Sequence, residues 1–205
     1  MTIRATSLTC LFAVVCGAAV AAQSSRYDWK QWSVLDLDKL LTYTLQDTPL
    51  TNSERQQIYK QIDNEYVHDS FTDAQRDEER EAVMSARVGS IALADDGSQQ
   101  VLVQGPRFFC GATGNCSYWV FIRQNGQLRL VLAAGGSLIR VRNASRHGFC
   151  DVATFWHLSA YDSESRVYHW DGSKYEQADC FISKLNRDDP DKAPIIAGCA
   201  EGPQH

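Results

Sequence analysis

The sequence predicts an α+β protein in which N-terminal helices are followed by an antiparallel β-meander or sandwich domain. Two observations carry this prediction. The hydrophobic period changes from about 3.6 residues to about 2 near residue 89. Tight-turn sequences such as Asn125-Gly126 and Asp171-Gly172 then recur about every 8 to 12 residues. We therefore divide the chain into a signal peptide (1–22), a helical region (23–88), an antiparallel β domain (89–186) and an irregular C-terminal tail (187–205).

The first 22 residues have the pattern of a secretory signal peptide. A positive charge at Arg4 precedes an apolar run from Leu8 to Ala22, which ends in small residues suited to signal peptidase. The run is about 15 residues long, shorter than the roughly 20 that a membrane-spanning helix requires. We expect cleavage near Ala22, a periplasmic or secreted protein, and no membrane span in the mature chain.

Three helices are predicted in the helical region. Apolar residues at 3.6-residue spacing predict the first helix across Ser33–Leu41. The capping-box pattern Thr51–Glu54 precedes a second helix, and the similar pattern Thr72–Gln75 precedes a third at about 73–87. The acidic run 77–81 lies on this third helix, where we expect it to form a solvated face.

A central hairpin is the clearest prediction in the β domain. Asn125-Gly126 favours a two-residue turn, which places Arg123 opposite Leu128. Both faces of the hairpin are apolar, so we expect a second sheet to cover one face and the helices to cover the other. One predicted face carries Trp119, Phe121, Leu128, Leu130 and Leu132. The other carries Tyr118, Val120, Ile122, Val131 and Ala133. The remaining predicted strands are Gly89–Leu93, Gln100–Gln104, Leu138–Arg142, Cys150–Leu158, Val167–Trp170 and one that begins at Tyr175.

Five cysteines follow the leader, and an exported protein is expected to use them in disulfides. Cys110 and Cys116 flank a short glycine-containing loop that a bridge would hold in shape. Cys150 would then pair with Cys180, which leaves Cys199 odd. The alternative joins Cys180 to Cys199 and frees Cys150, and the sequence does not decide between the two.

Three groups of residues are candidates for function. The loop Gly111–Asn115, with Thr113 and Asn115, is a candidate for contacting a protein partner. Arginines that are close in sequence could bind an anionic envelope ligand; the candidates are Arg123, Arg140 and Arg142. An alternative enzymatic site would use His147, Asp151 and His157, with Cys150 as a nucleophile if its thiol were free. We predict no metal and no cofactor. The net charge of −5 argues against nucleic acid as a partner.

Several motifs together resemble a known group of proteins. They are D-G-S-Q-x-V-L-V-Q-G, C-G-A-T-G-N-C-x-Y-W-V-F, G-F-C-D-V-A-T and W-D-G-S-K-Y, within residues 95 to about 180. This pattern resembles uncharacterised exported bacterial proteins whose strands look like FG-GAP repeats. The resemblance implies a β-rich exported module and no particular activity. FG-GAP repeats usually bind calcium through aspartates, and this sequence lacks that set.

The leading functional hypothesis is an exported, non-enzymatic binding module. One version is an inhibitor or immunity-type protein that blocks a cell-wall hydrolase with the loop Gly111–Asn115. The two alternatives are the enzyme just described and a structural component of an envelope assembly, which would make its contacts through the acidic helices.

Overall fold

A computed structural model describes residues 27–64, 73–187, 189 and 194–199. The predicted signal peptide and the start of the Thr72–Gln75 capping pattern lie outside these residues. The described chain is built mostly of antiparallel β-strands with few helices, which confirms the predicted β-rich architecture. The longest described helices have 12 residues, and none of the described helices has the length and apolar composition of a membrane span.

The helices and strands follow one another in a simple order. In the N-terminal part they are β1 (Trp32–Val34), α1 (Leu37–Leu40), β2 (Tyr43–Thr44), α2 (Asn52–Asp63), α3 (Asp73–Met84), β3 (Arg87–Ile91) and β4 (Gln100–Gln104). The rest are β5 (Cys116–Gln124), β6 (Gln127–Gly136), β7 (Leu138–Arg146), β8 (Phe149–His157), β9 (Asp162–Trp170), β10 (Tyr175–Lys184) and β11 (Ile195–Gly198). Short 3-10 turns lie at Trp29–Gln31 and Arg107–Phe109.

The strands form two sheets that pack face to face. Sheet A has the order β1-β7-β8-β9-β10-β11, and sheet B has the order β2-β3-β4-β5-β6. Backbone hydrogen bonds join the two sheets at their corners: Cys150 N–H donates to the Leu93 carbonyl at 2.7 Å, and Ser137 N–H donates to the Phe155 carbonyl at 2.7 Å. A large apolar core lies between the sheets.

The central hairpin β5–β6 is covered on both faces, as predicted. One face lies in the core between the sheets, and the other packs against Ile58 and Ile62 of α2. Leu132 and Ala133 are exceptions to the predicted faces. Leu132 lies in the core between the sheets, and Ala133 is paired with Trp119 on the other side of the hairpin. A register shift between Val120 and Phe121 inserts one extra residue into β6, and such a bulge moves every later side chain to the opposite face.

The first predicted helix is wrong over most of its length. Trp32–Val34 is a strand that pairs with β7, and only Leu37–Leu40 is helical. The apolar residues of this segment serve two separate surfaces: Trp32 packs on the outer face of sheet A, whereas Leu41 packs in the core between the sheets. The 3.6-residue spacing of apolar residues in this segment therefore comes from contacts with two different surfaces and not from one helix. The second helix begins as expected, with a complete capping box between Thr51 and Glu54.

Helix α2 also closes the open edge of sheet B. Its Gln57 side chain accepts a hydrogen bond from Leu128 N–H at 2.7 Å. Its Gln61 side chain accepts one from Leu130 N–H at 2.7 Å and donates one to the Leu128 carbonyl at 2.8 Å. Residues four apart on a helix lie on the same side, so the two amides together act as a substitute strand along β6.

Two disulfides stabilise the described part of the chain: Cys110–Cys116 and Cys180–Cys199. The expected pairing of Cys150 with Cys180 is therefore wrong, and Cys150 is free. Strand β9 separates β8 from β10, so the two residues lie at least ~9.6 Å apart, beyond the roughly 7 Å that a disulfide can bridge. The predicted irregular tail also needs correction, because Ile195–Gly198 pairs with β10 as a strand.

Candidate functional site

The loop between Cys110 and Cys116 is short, exposed and firmly held. The disulfide closes it, and the two cysteines also face each other as an isolated antiparallel bridge. Inside the loop, Gly111 N–H donates to the Asn115 carbonyl at 2.7 Å, and Gly114 N–H donates to the Gly111 carbonyl at 2.9 Å. Gly114 has a φ of 78°, a left-handed value that glycine adopts without strain. Residues 111–114 are all exposed.

Asn115 fastens this loop to the end of β8. Its side-chain amide donates to the His157 carbonyl at 2.8 Å, and its side-chain oxygen accepts from His157 N–H at 2.9 Å. The Asn115 side-chain amide also donates a hydrogen bond to Thr113 Oγ1 at 2.7 Å. Asn115 is only 7% exposed, so it is a positioning residue for the loop and presents little surface to a partner. Thr113 is the exposed member of the predicted pair.

The loop lies beside an exposed apolar turn between β8 and β9. Leu158 is 47% exposed and Tyr161 is 43% exposed, so the turn presents two large apolar side chains to solvent. Leu185 also lies here, because its N–H donates to the Tyr161 carbonyl at 2.8 Å. We call the surface formed by residues 111–114, residues 158–161 and Leu185 the loop end. The hairpin turn at 125–126 lies at the other end of β5, and the turn at 147–148 lies at the other end of β8.

A cleft of about 360 Å³ lies on the other side of the loop, between Gly114, helix α1 and the β6–β7 corner. Its floor is a polar network. Gln104 donates to the Tyr118 hydroxyl at 3.0 Å, and Arg87 donates to the Gln104 side-chain oxygen at 3.3 Å and to Asp38 at 3.1 Å. Burial raises the pKa of Tyr118, so this phenol stays neutral at physiological pH and serves as a hydrogen-bonding group.

The predicted arginine group does not converge on one site. Arg123 is on sheet B, where it pairs with Glu54 at 2.9 Å. Arg140 and Arg142 are on sheet A. The guanidinium of Arg140 lies over the rings of Trp29 and Phe155, at 5.5 and 5.0 Å from their centroids. Arg142 pairs with Asp151. Arg123 therefore lies apart from the other two, whereas Arg140 and Arg142 are two residues apart on β7 and share one face of sheet A. Each of the three has a partner on the protein.

The predicted enzymatic set is also separated by the fold. His147 lies in the turn before β8, whereas His157 is the last residue of that nine-residue strand. The length of the strand alone, about 26 Å, separates them. Asp151 is fully buried between β7 and β9, with Arg142 Nη1 at 3.2 Å and His169 Nδ1 at 2.8 Å. His169 was not singled out by sequence reasoning, because only the β8–β9 register brings it to Asp151.

The free thiol of Cys150 is poorly suited to nucleophilic attack. The side chain is partly buried against the core between the sheets. Burial raises the pKa of the thiol, and the nearby carboxylates of Asp151 and Asp95 raise it further, so the reactive thiolate is disfavoured. Elsewhere among the described residues, Glu164 lies close to Cys180 and Cys199. Both of those sulfurs are joined in the disulfide, so neither is available as a thiolate ligand.

The fold defines this chain as an antiparallel two-sheet β protein with a disulfide-closed loop at one end. Comparisons with protein-family models, with curated proteins and with solved structures found no match. The geometry of the chain itself therefore carries the functional argument.

Proposed function

We propose that this protein is an exported binding module that captures a protein partner of the cell envelope through the loop end. The observation that carries the proposal is the state of the loop: residues 111–114 are exposed, yet a disulfide and the buried Asn115 hold them in one shape. A loop ordered before binding loses little conformational entropy in the complex, so its contacts contribute more fully to affinity.

The apolar turn beside the loop gives the surface a suitable composition. Leu158 and Tyr161 are exposed, and the guanidinium of Arg187 lies 5.1 Å from the Tyr161 ring centroid. Tyrosine and arginine are enriched among the residues that dominate binding energy at protein interfaces. A narrow rigid loop flanked by the exposed apolar side chains of Leu158 and Tyr161 favours insertion into a concave site on the partner. This is the shape expected of an inhibitor or immunity-type protein that blocks a hydrolase.

The proposed location agrees with the covalent structure. Two disulfides in the described residues are typical of an oxidising compartment such as the periplasm or the extracellular space. Together with the apolar leader pattern at residues 8–22, they support export of the protein.

Site-specific photo-crosslinking tests the proposal. A photoreactive amino acid is placed at Thr113 in the loop end. The matched control places it at Ala144, an exposed residue near the C-terminal end of β7, away from the loop end. After irradiation in an envelope extract, we expect one discrete protein adduct from position 113 and none from position 144. Equal adducts at both positions, or no adduct at position 113, would remove the loop end from consideration.

The envelope-assembly alternative has one observation in its favour, the exposed acidic side chains Asp77, Glu78 and Glu81 on α3. Changing these three residues to glutamine distinguishes the two proposals. The loop-end proposal expects the adduct at position 113 to persist, whereas assembly through the acidic helix expects complex formation to be lost.

A further inference from the structure

Of the four strands that lie at the edges of the two sheets, three are protected in ways that proteins commonly use. Strands β1 and β2 have only three and two residues, and the amides of Gln57 and Gln61 cover β6. Strand β11 is also short, with four residues, but it reads Ile-Ile-Ala-Gly without a charge, and no described residue pairs with its outer side. An uncharged apolar edge is a template for another strand.

The hydrogen-bond pattern shows which groups of β11 face outward. Cys199 N–H donates to the Cys180 carbonyl at 3.2 Å. In an antiparallel ladder, hydrogen-bonded positions alternate, so Ala197 and Ile195 also bond to β10. The N–H and C=O groups of Ile196 and Gly198 then point away from sheet A. An incoming strand must therefore hydrogen-bond to these two residues.

We propose that β11 pairs antiparallel with β11 of a second copy of this chain, which joins the two six-stranded sheets. The outward groups permit a register in which Ala197 faces Ala197 across a two-fold axis. Ile196 of each copy then lies opposite Gly198 of the other, and each such pair exchanges two hydrogen bonds. This inference rests on the edge strand and is independent of the function proposed for the loop end.

The side chains favour a second copy because this register is complementary to itself. Paired residues lie on the same face of a sheet, so each Ile196 meets a glycine and each alanine meets an alanine. Gly198 is also paired with Phe181 of β10, a partly buried ring in the aromatic cluster on the outer face of sheet A. The incoming Ile196 would lie opposite Gly198, on the same face of the sheet as that ring.

The charges and the disulfide are compatible with this pairing. The residues opposite Ile196, Ala197 and Gly198 on β10 are Ser183, Ile182 and Phe181, which carry no charge, and the nearest described charge on β10 is Lys184 opposite Ile195. The Cys180–Cys199 bridge fastens β11 to β10, so the edge is ordered before association. Because four residues bury much less than the ~1,200 Å² of a standard interface, we expect a dissociation constant on the order of 0.1 mM.

Sedimentation equilibrium of the mature chain, from about 10 µM to about 1 mM, tests the pairing. We expect a monomer–dimer equilibrium that Ile196→Lys weakens at least tenfold. The matched control is Val34→Lys, which places the same charge at an exposed position on β1, the opposite edge strand of sheet A; it should leave the equilibrium unchanged. Circular dichroism and disulfide mapping confirm that both variants are folded.

A cysteine at the two-fold axis tests the register directly. Cα atoms of directly opposed, non-hydrogen-bonded residues lie about 4.5 Å apart, so Ala197→Cys should form an intermolecular disulfide under mild oxidation. Lys184→Cys on β10 serves as the control and should not. The proposal would be overturned if the chain stayed monomeric at every concentration, or if Ile196→Lys left the dissociation constant of the dimer unchanged. The monomeric outcome is also the one expected if β11 receives an extended segment of another protein.

Discussion

Replacing Asn115 by alanine should destabilise the protein by about 3 kcal/mol. The change removes three hydrogen bonds, two to the backbone of His157 and one to Thr113. Each is worth about 1 kcal/mol, and the penalty is largest where a shielded backbone group is left without a partner. Because the Cys110–Cys116 disulfide remains, the loop should loosen without opening completely.

Urea unfolding followed by tryptophan fluorescence measures this loss, with non-reducing conditions that keep both disulfides. The matched control is Thr113→Ala, which removes only the single bond to the Asn115 amide; we expect a loss of about 1 kcal/mol or less. Limited proteolysis should cut Asn115→Ala, but not the control, within residues 111–114. A loss below about 0.5 kcal/mol for Asn115→Ala would refute the idea that this residue anchors the loop.

Two further predictions concern alkaline stability and the covered edge. Burial raises the pKa of Tyr118 and Tyr175 above the usual value of 10.0. The folded state therefore holds these protons more tightly than the unfolded state, so the contribution of the two tyrosines to stability is constant below about pH 10 and is lost as the pH rises further. Tyr175→Phe should flatten the fall seen in urea titrations at pH 8 to 11, and an unchanged slope would contradict this. Removing both Gln57 and Gln61 by alanine substitution should expose β6 and cause concentration-dependent light scattering, whereas the exposed Gln99→Ala should not; equal scattering would argue against edge protection.

The predictions that held depend on residues close together in sequence. A capping box needs only Thr51 and Glu54, and the two-residue turn at Asn125-Gly126 sets the pairing of Arg123 with Leu128. In both cases the interacting groups lie within a few residues, so the local chain chemistry is sufficient. The Cys110–Cys116 loop was predictable for the same reason, because a tight turn brings its two nearby cysteines together.

The candidate site was only partly predictable. Thr113 lies in the exposed loop as expected, but the role of Asn115 depends on His157, which is 42 residues away. The candidate arginines are close in sequence but are divided between two sheets, where each meets a partner of its own. The spacing of the arginines along the chain does not predict the side chains that they contact, because strand order and register determine those contacts.

The sequence by itself determined the β-rich antiparallel architecture, the strong hairpin, the second helix and the short disulfide loop, since each follows from local propensity and hydrophobic period. Only the tertiary structure decided that Trp32–Val34 is a strand, that Leu132 faces the other sheet, and that Cys180 bridges to Cys199. These outcomes depend on a β-bulge and on the order of strands in sheet A. Both are set by the packing of surfaces that are distant in sequence, which a local pattern does not encode.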